Sequence, residues 1–221
     1  MMCVLIRMHD MENNGKCYIV GAGENYGLDF KPEEGDYIIA ADAGYRYLQE
    51  AGIIPDMVVG DFDTLKYVPD HPNIIRLKPE KDITDTWEAV TRGLENGYKE
   101  FHIYACMGGR VEHSIANIQL LVRIAEEGGK GYLYDAKSIL TVIKDSELEF
   151  EKRENGFISV FSLADKSVGV EISGLKYEIE NAGLTNNFPL GVSNEFIGKP
   201  SRISVKKGTL LIIYPDSVRT P

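Results

Sequence analysis

Between Tyr18 and Ala105 the chain repeats short runs of residues that are apolar on both faces, most of them stopped by Gly or Asp, and this repetition limits the possible folds more than any other feature. The runs are Tyr18-Ile-Val-Gly-Ala-Gly23, Tyr37-Ile-Ile-Ala-Ala41, Met57-Val-Val59, Ile74-Ile-Arg-Leu77 and Phe101–Ala105. Helical segments separate them. Tyr45–Ala51 stops at Gly52, and Asp85–Asn96 stops at Gly97, with Ile83, Trp87, Val90 and Leu94 near helical spacing. His113–Glu127 runs to Gly128-Gly129, with Ile115, Ile118, Val122 and Ala125 predicted on one face. Strands that bury both faces need helices on both sides, which is the pattern of a parallel sheet in an α/β domain.

The rhythm changes near Glu147. Gly156–Leu163, Val168–Ile172, Leu175–Ile179 and Leu210–Tyr214 are short runs, several with period-two alternation, separated by Gly, Asn, Asp and Lys. That is an antiparallel signature. It predicts Leu175, Tyr177 and Ile179 on one face of a strand, with Lys176, Glu178 and Glu180 on the other. The expected organisation is an α/β domain over 1–145, with a mainly parallel sheet flanked by helices, and an all-β sandwich- or barrel-like domain over 146–221.

Composition narrows the function. The 43% apolar content supplies a core, whereas a net charge of −10 disfavours nucleic acid or an anionic membrane as partner. Cys3, Cys17 and Cys106 have no metal-ligand spacing and are expected as reduced thiols. Met1–Arg7 lacks a long apolar core and no run of about 18 apolar residues occurs, so a cytoplasmic location is expected.

Asp42, Asp61 and Asp63 each follow an apolar run, which in a parallel sheet gathers them at the carboxyl edge, where open α/β folds bind ligands. Asp82-Ile-Thr-Asp85 opens a helix whose N-terminal N–H groups attract phosphate. Carboxylates beside phosphates call for a hard cation between them, and Mg²⁺ suits oxygen ligands. Taken singly, each Asp is equally a turn former or helix cap. The pair in Asp61-Phe-Asp63 is harder to explain that way, because an extended segment puts both carboxylates on one side. Gly108-Gly109-Arg110 ahead of a helix permits close backbone approach and a guanidinium fork, or is simply a turn. Spacing alone assigns neither Lys81 nor His113.

Taken in order, Ala41-Asp-Ala-Gly44, Gly60-Asp-Phe-Asp-Thr64, Lys81-Asp-Ile-Thr-Asp85, Gly108-Gly-Arg-Val-Glu-His113 and Val192-Ser-Asn-Glu195 resemble the motif set of thiamine pyrophosphokinases, over about residues 18 to 214. The resemblance implies a homodimer that transfers pyrophosphate from ATP to thiamine, with the active site at the subunit interface. It implies Asp61, Asp63 and Asp85 as magnesium ligands and Asp42 as an acidic group beside the reacting atoms. Lys81, Asp82, Thr84 and Arg110 match the nucleotide-phosphate region. Glu112, Tyr177, Ser193 and Asn194 match the thiamine site, where Tyr177 resembles an aromatic residue that stacks on thiamine from the partner subunit. Three positions depart from the family: Glu112 where Asp is usual, Thr64 where Ser is usual, and Trp87 where bacterial relatives often carry an acid.

Phosphohydrolases of the haloacid-dehalogenase type also carry Asp-x-Asp after a strand, but with Thr two positions later. Here Thr64 comes one position early. A non-catalytic nucleotide or thiamine sensor would be marked by loss of the acidic cluster, which is intact.

Overall fold

The computed structural model describes residues 13–78 and 82–218. Lys81 and Cys3 lie outside them. β1 (Asn13–Val20), β2 (Tyr37–Ala41), β3 (Met57–Gly60), β4 (Ile74–Arg76), β5 (Tyr98–Tyr104) and β6 (Lys130–Tyr134) are parallel neighbours in the order β6-β5-β1-β2-β3-β4. The crossovers include α1 (Gly44–Glu50), α2 (Asp85–Glu95) and α3 (Val111–Glu126). The double-sided apolar runs have their cause in the packing. On β1, Cys17 and Ile19 join the core under α2 and α3, while Tyr18 and Val20 join a second core with Leu48 of α1.

The remaining strands are β7 (Ser138–Lys144), β8 (Glu147–Arg153), β9 (Phe157–Ser162), β10 (Lys166–Ser173), β11 (Ile179–Thr185), β12 (Gly191–Glu195), β13 (Lys199–Lys207) and β14 (Thr209–Pro215). β7 turns back antiparallel on β6, and β14, β9 and β12 follow it, so one ten-stranded sheet runs β12-β9-β14-β7-β6-β5-β1-β2-β3-β4. A second sheet, β11-β10-β13-β8, packs over its antiparallel end. Phe150, Val170, Ile172 and Ile203 of the second sheet meet Ile158, Val160, Leu210 and Ile212 of the first in a sandwich core. The architecture is thus α/β with a sandwich-like all-β half. At residue 145 the chain leaves the large sheet for β8 and later returns to it, so the sheet is continuous across that point.

Two details differ from the expected pattern. α3 buries Asn117, Leu120, Leu121 and Ile124, while Ile115 is 54% exposed. Ile118, Val122 and Ala125 only flank the core. The helix is apolar over a wide arc, and contact with β6, β7 and α2 together selects which part faces inward. Nor is Leu175–Ile179 one continuous strand. Leu175 is buried in an isolated bridge to Phe196, whereas Tyr177 is 59% exposed and does not share its face. Between them, the Asn194 side-chain amide replaces the ladder: Oδ1 accepts from Tyr177 N–H at 2.9 Å and Nδ2 donates to the Tyr177 carbonyl at 2.7 Å. Among the described residues no helix is long and apolar enough to cross a membrane.

Candidate active site

At the carboxyl ends of β1, β2, β3 and β5 the sheet opens into a cleft of about 710 Å³. Asp42, Asp61, Asp63, Thr84, Asp85 and Arg110 all line it. Their backbones are bent to reach it. Asp42, Phe62 and Ala105, at the ends of β2, β3 and β5, have φ of 49°, 63° and 50°, values a non-glycine residue adopts only when its surroundings impose them. For Asp42 the constraint is visible: its N–H donates to Val59 O at 2.8 Å, and the Cβ of any residue replacing Gly60 would lie 3.1 Å from Asp42 Cα. Gly44 is fixed more severely, since a Cβ there would sit 1.9 Å from the Val20 carbonyl.

Asp61 and Asp63 converge, but not through an extended segment. Phe62 is 3% exposed, plugged into the core on the α1 side of the sheet, and its left-handed backbone turns the chain so that the flanking carboxylates meet. Burial of one ring, worth about 2–3 kcal/mol, therefore sets the turn. Asp61 Oδ1 accepts from Asp63 N–H at 3.2 Å, and the Thr64 hydroxyl donates to Asp63 Oδ1 at 3.0 Å. Oxygens of Asp42, Asp61 and Asp63 all lie within 4.8 Å of one another. Asp85 lines the same cleft at the start of α2, outside that trio.

Asp42 is the strained member. It is 5% exposed, and among the described residues its Oδ1 is buried without a hydrogen-bond partner. Burial raises its carboxyl above the usual range, Asp63 and Asp61 push it further, and the Thr64 hydroxyl and Ala43 N–H oppose the rise. A buried carboxylate that has one oxygen without a donor and an oxygen within 4.8 Å of oxygens of two more carboxylates fits a hard divalent cation. All the donors are oxygens.

The other wall comes from the helix starts and the 105–110 loop. Thr84 Oγ1 caps α2 by accepting from Trp87 N–H at 3.1 Å, which aims the helix N-terminus into the cleft. Gly108 and Gly109 have φ of 77° and 63° and lead to Arg110, whose Nε donates to Glu112 Oε1 at 2.8 Å. The Glu112 carboxyl is lowered by its own backbone N–H and by Arg110. His113, left open by spacing, lines the cleft. So do Cys106 and Asn117, which sequence reading did not select. Burial pushes the Cys106 thiol up to about 12, against the Thr86 hydroxyl, so it stays neutral. Asn117 had a signal: a polar residue at helical spacing from Leu120, Leu121 and Ile124.

Tyr177, Ser193 and Asn194 are elsewhere. β12 lies five strand spacings from β5, roughly 24 Å away along the sheet. There Ser193 is exposed, in a bulge with φ of 59°, and its N–H donates to Ser159 Oγ at 3.1 Å.

Residues 32–133 match the family description "Thiamin pyrophosphokinase, catalytic domain" and residues 145–210 match "Thiamin pyrophosphokinase, vitamin B1 binding domain". The chain is 31% identical over 182 residues to the thiamine pyrophosphokinase of Bacillus subtilis (strain 168), covering 79% of this chain and 85% of the relative. A crystal structure of the thiamine pyrophosphokinase from Bacillus subtilis superposes with a TM-score of 0.80 at 29% identity, covering 91% and 99% of the two chains. The thiamin pyrophosphokinase from Candida albicans shares the fold at 18% identity, with a TM-score of 0.74 over 92% of this chain and 90% of that one.

Proposed function

The chain belongs to the thiamin pyrophosphokinase family, and from that premise we propose how its cleft carries out transfer of pyrophosphate from ATP to thiamine. The thiamine hydroxyl oxygen bonds to the β-phosphorus, the bond from that phosphorus to the α,β-bridging oxygen breaks, and AMP leaves with the bond's electrons. The hydroxyl proton is lost, so thiamine diphosphate and AMP are the products. Such reactions are accelerated mainly by alignment and charge neutralisation. The observation that carries the reading is the convergence of Asp42, Asp61 and Asp63, with the buried Asp42 Oδ1 lacking a donor.

We assign Asp61 and Asp63, with Asp42 or Asp85 completing the set, to a Mg²⁺ ion. When bound, Mg²⁺ supplies charge neutralisation for the phosphates. The α2 N-terminus, Thr84 and Arg110 face the same cleft and suit the triphosphate. The family resemblance adds Lys81 and Asp82 to that group. Glu112, Tyr177, Ser193 and Asn194 are assigned to thiamine. The separation of Tyr177, Ser193 and Asn194 from the acidic trio within one chain favours a homodimer in which one subunit's β12 end completes its partner's cleft. Asn194 then acts by holding the Tyr177 backbone while the exposed ring meets the cationic substrate. A cytoplasmic enzyme is the reading that the free, buried Cys17 and Cys106 favour.

The test is incubation of the purified chain with thiamine, ATP and Mg²⁺, with products separated by chromatography. Thiamine diphosphate and AMP in equal amounts are expected. Phosphate release without thiamine diphosphate would make the chain a hydrolase, and no product would make it a binder.

A further inference from the structure

We propose that Asn117 is a positioning residue for the nucleotide: it ties the Cys106 carbonyl to α3 and so keeps that oxygen from facing the triphosphate. This rests on the reading of the acidic cleft as the ATP site.

Three successive carbonyls of the loop are taken up by partners. Ala105 O accepts from Gly23 N–H at 2.7 Å and Met107 O accepts from Glu24 N–H at 3.0 Å, both along the segment that follows β1. The carbonyl between them, Cys106 O, accepts from Asn117 Nδ2 at 2.6 Å. Asn117 thus closes from α3 the one gap that backbone pairing leaves. The geometry requires a donor there. Cys106 O follows Ala105, whose φ of 50° reverses the chain, and precedes Gly108 and Gly109 at 77° and 63°; the loop's other bonds, to Gly23 N–H, Glu24 N–H and, from Gly109 N–H, to Glu24 Oε1 at 3.3 Å, do not reach the Cys106 carbonyl. Both Cys106 and Gly109 line the cleft. A released Cys106 carbonyl is free to rotate toward the phosphates, where its partial negative charge opposes them.

Asn117 also sits where packing alone selects an apolar side chain. It shares its buried face with Leu120, Leu121 and Ile124, and it is 5% exposed. Burying an amide there is unfavourable unless its hydrogen bond is made. His113, one turn earlier on α3, borders the same cleft, so the helix delivers two polar groups to it.

Two variants test this, Asn117→Asp, which keeps the shape but faces Cys106 O with an acceptor, and Asn117→Ala, which removes the donor. Binding of a non-hydrolysable ATP analogue is followed by fluorescence of Trp87, the single tryptophan, and steady-state rates are measured with each substrate varied. The KM for ATP and the analogue Kd are expected to rise about tenfold in both variants, with the KM for thiamine changed less than about twofold. Asn117→Ala is the fallback if Asn117→Asp fails to fold. Wild-type protein that binds the analogue while a folded variant binds it equally well overturns the role of Asn117. A parallel rise in both KM values that tracks a fall in Tm also overturns it, since that is damage to packing. Wild-type protein that binds no analogue removes the ATP reading and this inference with it.

Discussion

Replacing Asp42 by Asn is expected to stabilise the metal-free protein while nearly abolishing turnover. Asp42 is buried beside two other carboxylates, with oxygens of all three inside 4.8 Å. At an effective dielectric constant of about 20, a pair of unit charges at that separation repels by about 3.5 kcal/mol. Asp63 is exposed and Asp61 half-buried, so solvent screening reduces the gain from deleting the Asp42 charge to about 1–2 kcal/mol. Asn is tolerated at positive φ, and its new N–H₂ can donate to the neighbouring carboxylates. For a chain of this length the gain corresponds to a Tm rise of about 2–8 °C. The pH dependence follows from the raised carboxyl of Asp42. Folded wild type holds this proton to higher pH than the unfolded chain, so its stability falls as pH climbs from the ordinary carboxylate range through the raised value. Asn carries no such proton. Its advantage is therefore absent in acid, grows across that window and is complete at neutral pH. Calorimetry in chelator across that range measures it, alongside turnover with Mg²⁺, which is expected to fall at least about 100-fold. If Asp42 and not Asp85 completes the metal set, added Mg²⁺ should reverse the stability order, because only wild type then keeps every ligand. An Asn variant that melts below wild type at neutral pH in chelator would refute the reasoning.

Asp63→Asn, at an exposed position, is expected to lower turnover by about 100-fold or more with Tm within about 2 °C of wild type; near-normal turnover would remove Asp63 from the metal set. Phe62→Ala empties a buried ring site and should cost about 3–5 kcal/mol by denaturant unfolding, with activity lost in the fraction that remains folded; full activity would show that the turn does not depend on the ring. If the active site is shared between subunits, mixing inactive Asp63→Asn and Tyr177→Ala chains through unfolding and refolding should restore about a quarter of wild-type activity, since half the dimers are mixed and one of their two sites is intact. No recovery, from chains shown to mix, would confine the site to one subunit.

The parallel half was legible because its physics is local. A strand buried on both faces must be apolar throughout, as β2 and β3 are, and Gly52, Gly97 and Gly128 end helices with positive φ. What escaped depends on partners distant in sequence. Nothing in Ile139–Ile143 announces that β7 will pair with β14, at Tyr214 to Leu210, and carry one sheet into both halves of the chain. The charged β8, Glu147–Arg153, is a strand because one face alone is covered. At the site, the carboxyl-edge rule brought the acidic residues together, but the rule is about strand ends and not about backbone direction. It therefore gave an extended Asp61-Phe-Asp63 where burial of Phe62 imposes a turn. Asn117 escaped for a related reason, since its partner is a loop carbonyl that only the fold brings to it, and the backbone clamp that Asn194 forms on Tyr177 was likewise not legible although the residue itself was named. Period-two alternation likewise misplaced Tyr177, because the alternation of 175–179 is real in the sequence but its ladder is replaced by an amide clamp.

The most direct measurement is a crystal structure with Mn²⁺ in place of Mg²⁺ and a non-hydrolysable ATP analogue, using anomalous scattering to locate the metal. An anomalous peak in contact with the carboxylates of Asp61 and Asp63, with analogue phosphate oxygens on its other side, is predicted. A metal bound elsewhere on the nucleotide, with those carboxylates solvated and apart from it, would contradict the account.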